Sequence, residues 1–350
     1  MAKIIDHTDF EVPILKDLQL VNLMEYNPDT KTMQTPSTIG YYRQPKESEY
    51  PLDLAKGWEH YIHRDWADHS DSPHDRVLHY LKHQESPRAF MKQIDFCLNR
   101  QTMIAIVEKQ QKHFVAVRFN ECIFLHLITD RIEDYVRESE PRPQRITYPF
   151  KARQYLFADA PDSTPNTDVP VNENRQIYGI LTAKLGNFRL MYSGEIAGVE
   201  NTEPLGDLND PEVLKQCRLA SVRVLLDNSE WRFKRKITKW LIQAHLSGIQ
   251  QFRVALFNDD GLVTKPIDGE GRNQLDRLNK FDMAKRYQTL HHFLHEVTKY
   301  VGDTDCPHTI HEFTVDKQSL VYNGMKHKTN SSLTEEFIRF ANPMDLNAPC

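Results

Sequence analysis

The sequence predicts an α/β fold of twisted mixed β-sheets flanked by helices, because strand-like and helix-like patterns interleave along a single chain. Branched and aromatic residues cluster in short runs bounded by turn residues, and stretches with apolar residues at helical spacing separate those runs. With 350 residues, 39% of them hydrophobic and 27% charged, the chain can bury a sizeable core within one large domain. The formal charge of -5 gives no global basic signature, so any nucleic-acid surface must be a local patch. No apolar run approaches the length of about 18 residues needed to cross a bilayer, and Met1-Ala2-Lys3-Ile4-Ile5-Asp6-His7 lacks the apolar stretch of a signal peptide. Five cysteines without a C-x-x-C pair argue against a disulfide framework and a structural zinc site, and they favour a reducing compartment.

Residues 1–50 are polar and turn-rich, with Pro13, Pro28, Pro36 and Pro45, and read as an extended N-terminal arm packed on a domain spanning 51–325. Ser72-Pro73-His74-Asp75 has the form of a helix start, and Val77, Leu78 and Leu81 supply its buried face. A second helix is expected after Ser86-Pro87, where Phe90, Met91, Ile94 and Leu98 recur at helical spacing. Residues 113–119 and 122–128 read as a hairpin about Asn120-Glu121. A long surface loop is expected between Ala158 and Arg175, which are separated by Asp, Asn, Pro and Thr with few large apolar residues. Gly186-Asn187 is the strongest turn signal and joins strands over 177–185 and 188–196. Strands over 217–226 and 251–257 bracket a basic helix that begins near Trp231. Leu290, Phe293, Leu294 and Val297 mark a later helix, 309–315 a returning strand, and 326–350 a polar tail.

Four segments, in order, resemble the DXO family of RNA decapping exoribonucleases. Leu52-Asp53-Leu54-Ala55-Lys56-Gly57-Trp58 through Arg64-Asp65 is similar to the family's D-L-x-x-G-aromatic…R-D segment, and Arg118 matches its active-site arginine. Lys184-Leu185-Gly186 through Ser193-Gly194-Glu195 resembles its central hairpin, and Lys236-Ile237-Thr238-Lys239-Trp240 through Gly248 its K-L-L-K-W-W-x-Q-S-x-L-x-G helix. The resemblance implies a PD-(D/E)xK-related single domain whose members hold divalent metals on carboxylates. Those metals polarise a phosphate and activate water.

The carboxylates are what this chain lacks. In the family they come from G-aromatic-x-aromatic-E, E-hydrophobic-D and E-hydrophobic-K. Here Arg153 falls at the first glutamate, Ala197 at the aspartate, and Arg223 and Leu225 at the last glutamate and lysine, so Glu195 is the remnant acid. No displaced E-x-K or D-x-K lies between Pro211 and Glu230. Arginines in place of acids disfavour a divalent metal, so no catalytic residue, metal or other cofactor is expected; Mg or Mn enters only if the chain is a divergent active nuclease.

Two readings of Arg153, Arg223 and Glu195 exclude catalysis. In one the arginines pair with the leftover acid and fill the vacated space. In the other they hold RNA phosphates directly. The run Glu230 to Trp240 joins five basic residues to three aromatics. Helical spacing puts Phe233, Ile237, Trp240, Leu241 and Ala244 on one face and Arg232, Arg235, Lys236 and Lys239 on another. That basic face is either solvated, a phosphate contact, or a nuclear-import signal, and Gln243 matches a family residue of the substrate channel. His60, His63, His69, His74, His79 and His83 lie close in sequence but show no closed set with zinc spacing.

Within the family, the lost carboxylates resemble a catalytically degenerate germline branch of the piRNA pathway. That resemblance implies a role in the nucleus, with the cytoplasm as the other location: protecting nascent RNA 5′ ends and suppressing transcription termination in piRNA-precursor synthesis, during RNA-mediated gene silencing in oogenesis, beside the chromatin proteins Rhino and Deadlock. The alternatives are an active metal-dependent decapping nuclease that removes incomplete caps or 5′ ends, and a protein-interaction scaffold without RNA binding.

Overall fold

The computed structural model describes residues 13–27, 29–30, 32–63, 73–128, 143–227, 230–267, 269–316, 319–327 and 332–342. The first part of the chain forms β1 (Leu15–Asn27), β2 (Thr32–Gln34), β3 (Tyr41–Tyr42), β4 (Leu52–Asp53), α1 (Pro73–Lys82) and α2 (Pro87–Met91). Next come β5 (Phe96–Asn99), α3 (Arg100–Val107), β6 (His113–Phe119), β7 (Cys122–Ile128), α4 (Tyr148–Leu156) and β8 (Phe157–Ala158). The centre is β9 (Ile177–Leu185), β10 (Phe188–Ile196), β11 (Gly198–Val199), α5 (Pro211–Gln216), β12 (Leu219–Leu226), α6 (Glu230–Ser247) and β13 (Gln251–Phe257). The chain closes with β14 (Leu262–Val263), β15 (Gly269–Gly271), α7 (Arg272–Leu278), α8 (Met283–Val301), β16 (Thr309–Asp316), β17 (Ser319–His327) and α9 (Glu335–Ala341).

Nine strands form one mixed sheet in the order β17-β16-β6-β7-β5-β10-β9-β1-β2, and six form a second in the order β15-β13-β12-β11-β3-β8. In the large sheet β5 runs parallel to both β7 and β10, whereas β9 and β10 form the central hairpin, with Gly186 at φ +59 in its turn. In the small sheet β12 and β13 pair in parallel, which requires a crossover, and α6 supplies it. The chain passes from one sheet to the other at Ala197, between β10 and β11. A side chain at the next position is impossible without displacement, since a Cβ on Gly198 would lie 2.4 Å from the Gly40 carbonyl oxygen and from the Phe157 ring.

Burial explains where the helices sit. Helices α3 and α8, with Ile242 and Leu246 of α6, cover one face of the large sheet. Val77, Leu78 and Leu81 of α1 and Phe337 of α9 cover the other. Ile237, Trp240, Leu241 and Ala244 turn α6 towards Leu225 and Phe252 of the small sheet, so this one helix packs on both sheets. A hydroxyl fastens it: Tyr192, fully buried on β10, donates to the Leu246 carbonyl at 2.7 Å.

Several local expectations change. The helix after Ser86-Pro87 ends at Met91, and Leu98 lies on β5, whose four residues are buried between β7 and β10. A fully buried strand is a continuous apolar run, which periodicity alone does not separate from a helix. Helix α3, capped by the Asn99 side chain accepting from the Thr102 amide at 2.8 Å, was not foreseen. Residues 15–27 of the segment read as an arm enter the large sheet as β1, paired with β9 and β2, and α9 lies in the segment read as a tail. Cys97, Cys122 and Cys217 are free thiols, but Cys306 is disulfide-bonded, which departs from the expectation drawn from the cysteine count.

Tyr192→Phe keeps the ring and removes the tie to α6, leaving the Leu246 carbonyl without that donor. Its expected cost is about 1 kcal/mol of stability, read as a lowered denaturation midpoint at unchanged m-value.

Candidate functional site, an arginine-lined cleft at the sheet seam

Where the chain crosses between the sheets, a cleft of about 820 Å³ opens, lined by Arg100, Arg153, Glu195, Ala197, Arg223 and residues of α6. Each charged side chain arrives from a different element. β10 delivers Glu195 next to its last residue, and the junction of β5 with α3 delivers Arg100. Arg153 lies on α4, a helix that begins at the Tyr148-Pro149 pair and packs on the small sheet through Tyr148, Ala152 and Leu156. Arg223 projects from β12, and α6 forms the wall with Lys236, Lys239, Trp240 and Gln243.

Arg153 donates from Nη1 to Glu195 Oε1, and the two side chains remain 21% and 33% exposed to the cleft. Arg100 donates from Nη1 to Ser247 Oγ at 2.5 Å and from Nη2 to the Glu195 carbonyl at 2.9 Å. Its guanidinium lies on Gly194, where a Cβ would come within 3.0 Å of Cζ, so a side chain at this strand position would press the guanidinium aside. Arg223 donates from Nη1 to the Val222 carbonyl at 2.9 Å and from Nη2 to Gln243 Oε1 at 2.8 Å. Two buried donors of the cleft, Arg153 Nε and the Ser221 hydroxyl, have no acceptor among the described residues.

The charges act on one another. Burial pushes the Glu195 carboxyl up, but the charge and hydrogen bond of Arg153, with Arg100 and Arg223 farther away, outweigh it and hold the group down to about 2. Arg223 moves the other way for a basic group. Burial first, then repulsion from Arg153 and Arg100, lowers it to about 10. Glu195 thus stays ionised at neutral pH among three guanidiniums.

Two-metal chemistry does not fit this donor set. A hard divalent cation takes several oxygen ligands, and of the two acids that line the cleft Glu195 is already held by an arginine and Glu108 accepts from Gln110. Ala197 offers no ligand, Arg223 repels a cation, and Leu225 is 4% exposed in the apolar layer under α6. Among the described residues, no group of three His, Cys, Asp or Glu side chains could hold a metal ion.

The structure brings Arg153, Glu195, Ala197, Arg223, Lys236, Lys239 and Gln243 to one cleft, as neighbours of a common cavity. Leu225 sits beneath it. Arg118 is elsewhere: it donates to the Gly302 carbonyl at 2.6 Å and lies 3.7 Å from Asp303, at the C-terminal end of α8, where a cation is favourable. The side chains of Arg232 and Arg235, like those of His69 and His74, lie outside the described residues. The His79 and His83 rings lie tilted at 42° with centres 4.4 Å apart, and burial, with His83 and Lys82, lowers His79 to about 4. Arg100 was missed by sequence reasoning, although an arginine directly before the apolar run Thr102 to Val107 is the kind of misplaced charge that could have flagged it.

A group held near 2 in the folded protein and near 4.3 in the unfolded chain contributes stability above the unfolded value, and that contribution is lost as pH falls from about 4.3 towards 2. Glu195→Gln is therefore expected to be less stable than the wild type at pH 7 by about 1–2 kcal/mol, a modest figure because the pair is partly solvated. Thermal denaturation from pH 7 to pH 2 should show the two proteins converging through that acidic window.

Known proteins share this framework. The model of the RAI1 like PD-(D/E)XK nuclease family matches residues 19–338. The human decapping and exoribonuclease protein is 28% identical over 141 residues, 37% of this chain and 35% of its own length. Drosophila melanogaster Rai1, a decapping and exoribonuclease protein, is 27% identical over 180 residues, covering 49% and 48%. These matched stretches thus span only about a third to a half of those relatives. The crystal structure of Candida albicans Rai1 in complex with pU5-Mn2+ superposes with a TM-score of 0.75 over 95% of this chain and 96% of that one, at 13% identity. Scheffersomyces stipitis Rai1 in complex with (3'-NADP)+ and calcium ion gives 0.74 over 95% and 96%, also at 13% identity. At such identities the structural likeness speaks for the fold, whereas the family model covers most of the sequence itself. The chain belongs to the RAI1-like PD-(D/E)XK nuclease family.

Proposed function

We propose that this protein is a pseudoenzyme of its family that holds RNA 5′ ends in the arginine-lined cleft without cutting them. The observation that carries the reading is the charge of the seam: Arg100, Arg153 and Arg223 act on the Glu195 carboxylate, which is already ion-paired, and cations outnumber acids along the cleft. Guanidinium groups supply fixed donors with the geometry of phosphate oxygens, and a partly dry cleft strengthens them. Lys236 and Lys239 extend the positive wall along α6, where the phosphates behind the first would run. The names of two relatives pair a phosphate-bearing ligand with a cation, pU5 with manganese and (3'-NADP)+ with calcium. In this chain we assign the cationic task to arginines, and no metal or other cofactor enters the reading.

The cellular role we infer rests on likeness alone. The lost carboxylates resemble those of the germline protein Cutoff. On that basis the protein acts in the nucleus, protects the 5′ ends of nascent piRNA precursors and suppresses termination beside Rhino and Deadlock.

Fluorescence anisotropy with short RNAs bearing a 5′-monophosphate tests the cleft. Arg153→Ala combined with Arg223→Ala should weaken binding at least tenfold, the loss of about two charge-assisted contacts. Unchanged affinity defeats the clamp and leaves the scaffold reading. Incubating monophosphate, triphosphate and unmethylated-cap RNA with Mg²⁺ or Mn²⁺ should give no turnover. Turnover abolished by Glu195→Ala would establish the active nuclease instead.

A further inference from the structure

The pairing of Arg153 with Glu195 leaves the cleft unfinished in a way that simple charge neutralisation does not require. Arg153 donates to its partner from Nη1, while its Nε–H is buried with no acceptor among the described residues. A carboxylate and a guanidinium can lie fork to fork with two parallel hydrogen bonds, and that arrangement is absent here. Ser221, on the same strand as Arg223, also points a buried hydroxyl into the cleft without a partner among the described residues. An acceptor with several oxygens is what these donors lack.

We propose that Glu195 is a resident anion: it competes with an incoming terminal phosphate for Arg153 and so determines how strongly the cleft responds to the charge of an RNA 5′ end. This rests on the reading of the cleft as an RNA-end site. Three guanidiniums and two lysines line the cleft against the Glu195 and Glu108 carboxylates, so the lining is net positive. A ligand sharing Arg153 with Glu195 stands within roughly 4–6 Å of the carboxylate, where like charges still interact at an effective dielectric near 20. The attraction exerted by the cleft scales with the ligand's charge, and so does the opposition from Glu195. A 5′-hydroxyl end, with no terminal phosphate, feels neither strongly. A monophosphate carries about -1.5 to -2 at pH 7, and a triphosphate carries more.

The consequence is a specificity with a direction. Glu195 holds down affinity for every phosphorylated end, and it holds down the most charged ends most. Binding is thereby kept exchangeable, and the preference for triphosphate over monophosphate is compressed. A carboxylate that served only to neutralise Arg153 for folding would alter thermal stability without a response graded by ligand charge.

The test is anisotropy in EDTA with one RNA sequence bearing 5′-hydroxyl, 5′-monophosphate or 5′-triphosphate. Glu195→Gln should raise affinity about tenfold for the monophosphate, by more for the triphosphate, and by less than about threefold for the hydroxyl end; tenfold corresponds to about 1.4 kcal/mol. Ala197→Asp, which keeps the Arg153–Glu195 pair and adds a second acid to the cleft, should shift the same three values downward in the same order. Glu195→Asp retains the charge and should preserve the wild-type order without the gain. If the wild type binds the monophosphate RNA but both charge changes act equally on all three ends, or not at all, Glu195 is structural and the proposal falls. A wild type that does not distinguish the monophosphate from the hydroxyl end overturns the RNA-end reading and this proposal together.

Discussion

The Arg153–Glu195 ion pair spans the seam between the two sheets: Arg153 belongs to α4, packed on the six-stranded sheet, and Glu195 to β10 of the nine-stranded sheet. The pair forms where the chain itself crosses over, at Ala197, so covalent continuity and electrostatics meet at one point. Arg100 reinforces the junction from the large sheet by bonding the Glu195 carbonyl and the end of α6 through Ser247. Removing the acid would leave three guanidiniums facing one another across a partly dry space, where repulsion is poorly screened. The Glu195 carboxylate therefore steadies the seam.

Helix α6 gives this seam its walls. Its apolar residues face two directions, with Ile242 and Leu246 against the large sheet and Ile237, Trp240 and Leu241 against the small one, so the helix is wedged between them. Its polar side is left to line the cleft with Lys236, Lys239 and Gln243. Gln243 accepts from Arg223 and so holds that guanidinium in place. The cleft persists because arginines occupy its edge without meeting as hydrophobic side chains would: Arg153 is held by a carboxylate and Arg100 and Arg223 by carbonyl, hydroxyl or amide oxygens, and like charge keeps them apart.

Under the proposed reading, the same framework serves an inverted electrostatic purpose. A carboxylate cluster gathers cations, and cations then gather phosphate and water. A guanidinium cluster binds phosphate with no such intermediary, and it provides nothing that activates water. Leu225, buried under α6, offers no polar group to the cleft.

Much of this architecture could be read from the chain. The β6–β7 and β9–β10 hairpins, β13, α6 and α8 follow from local alternation, turn residues and helical spacing, because these signals act between near neighbours. That Arg153, Ala197 and Arg223 lie near Glu195 was legible through motif order, and the cleft brings them together. β5 and α3 were not, since a strand buried on both sides loses its alternation and a short capped helix follows it directly. The placement of Arg118 at the end of α8, far along the sequence, was equally hidden. By itself, then, the sequence determined which residue types stand around Glu195 in its motifs, because a residue's identity is local. Only the tertiary structure decided that Arg100 joins Arg153 and Arg223 about one carboxylate and that Arg118 does not, because a charge finds its partners across sheets whose contacts are remote in the chain.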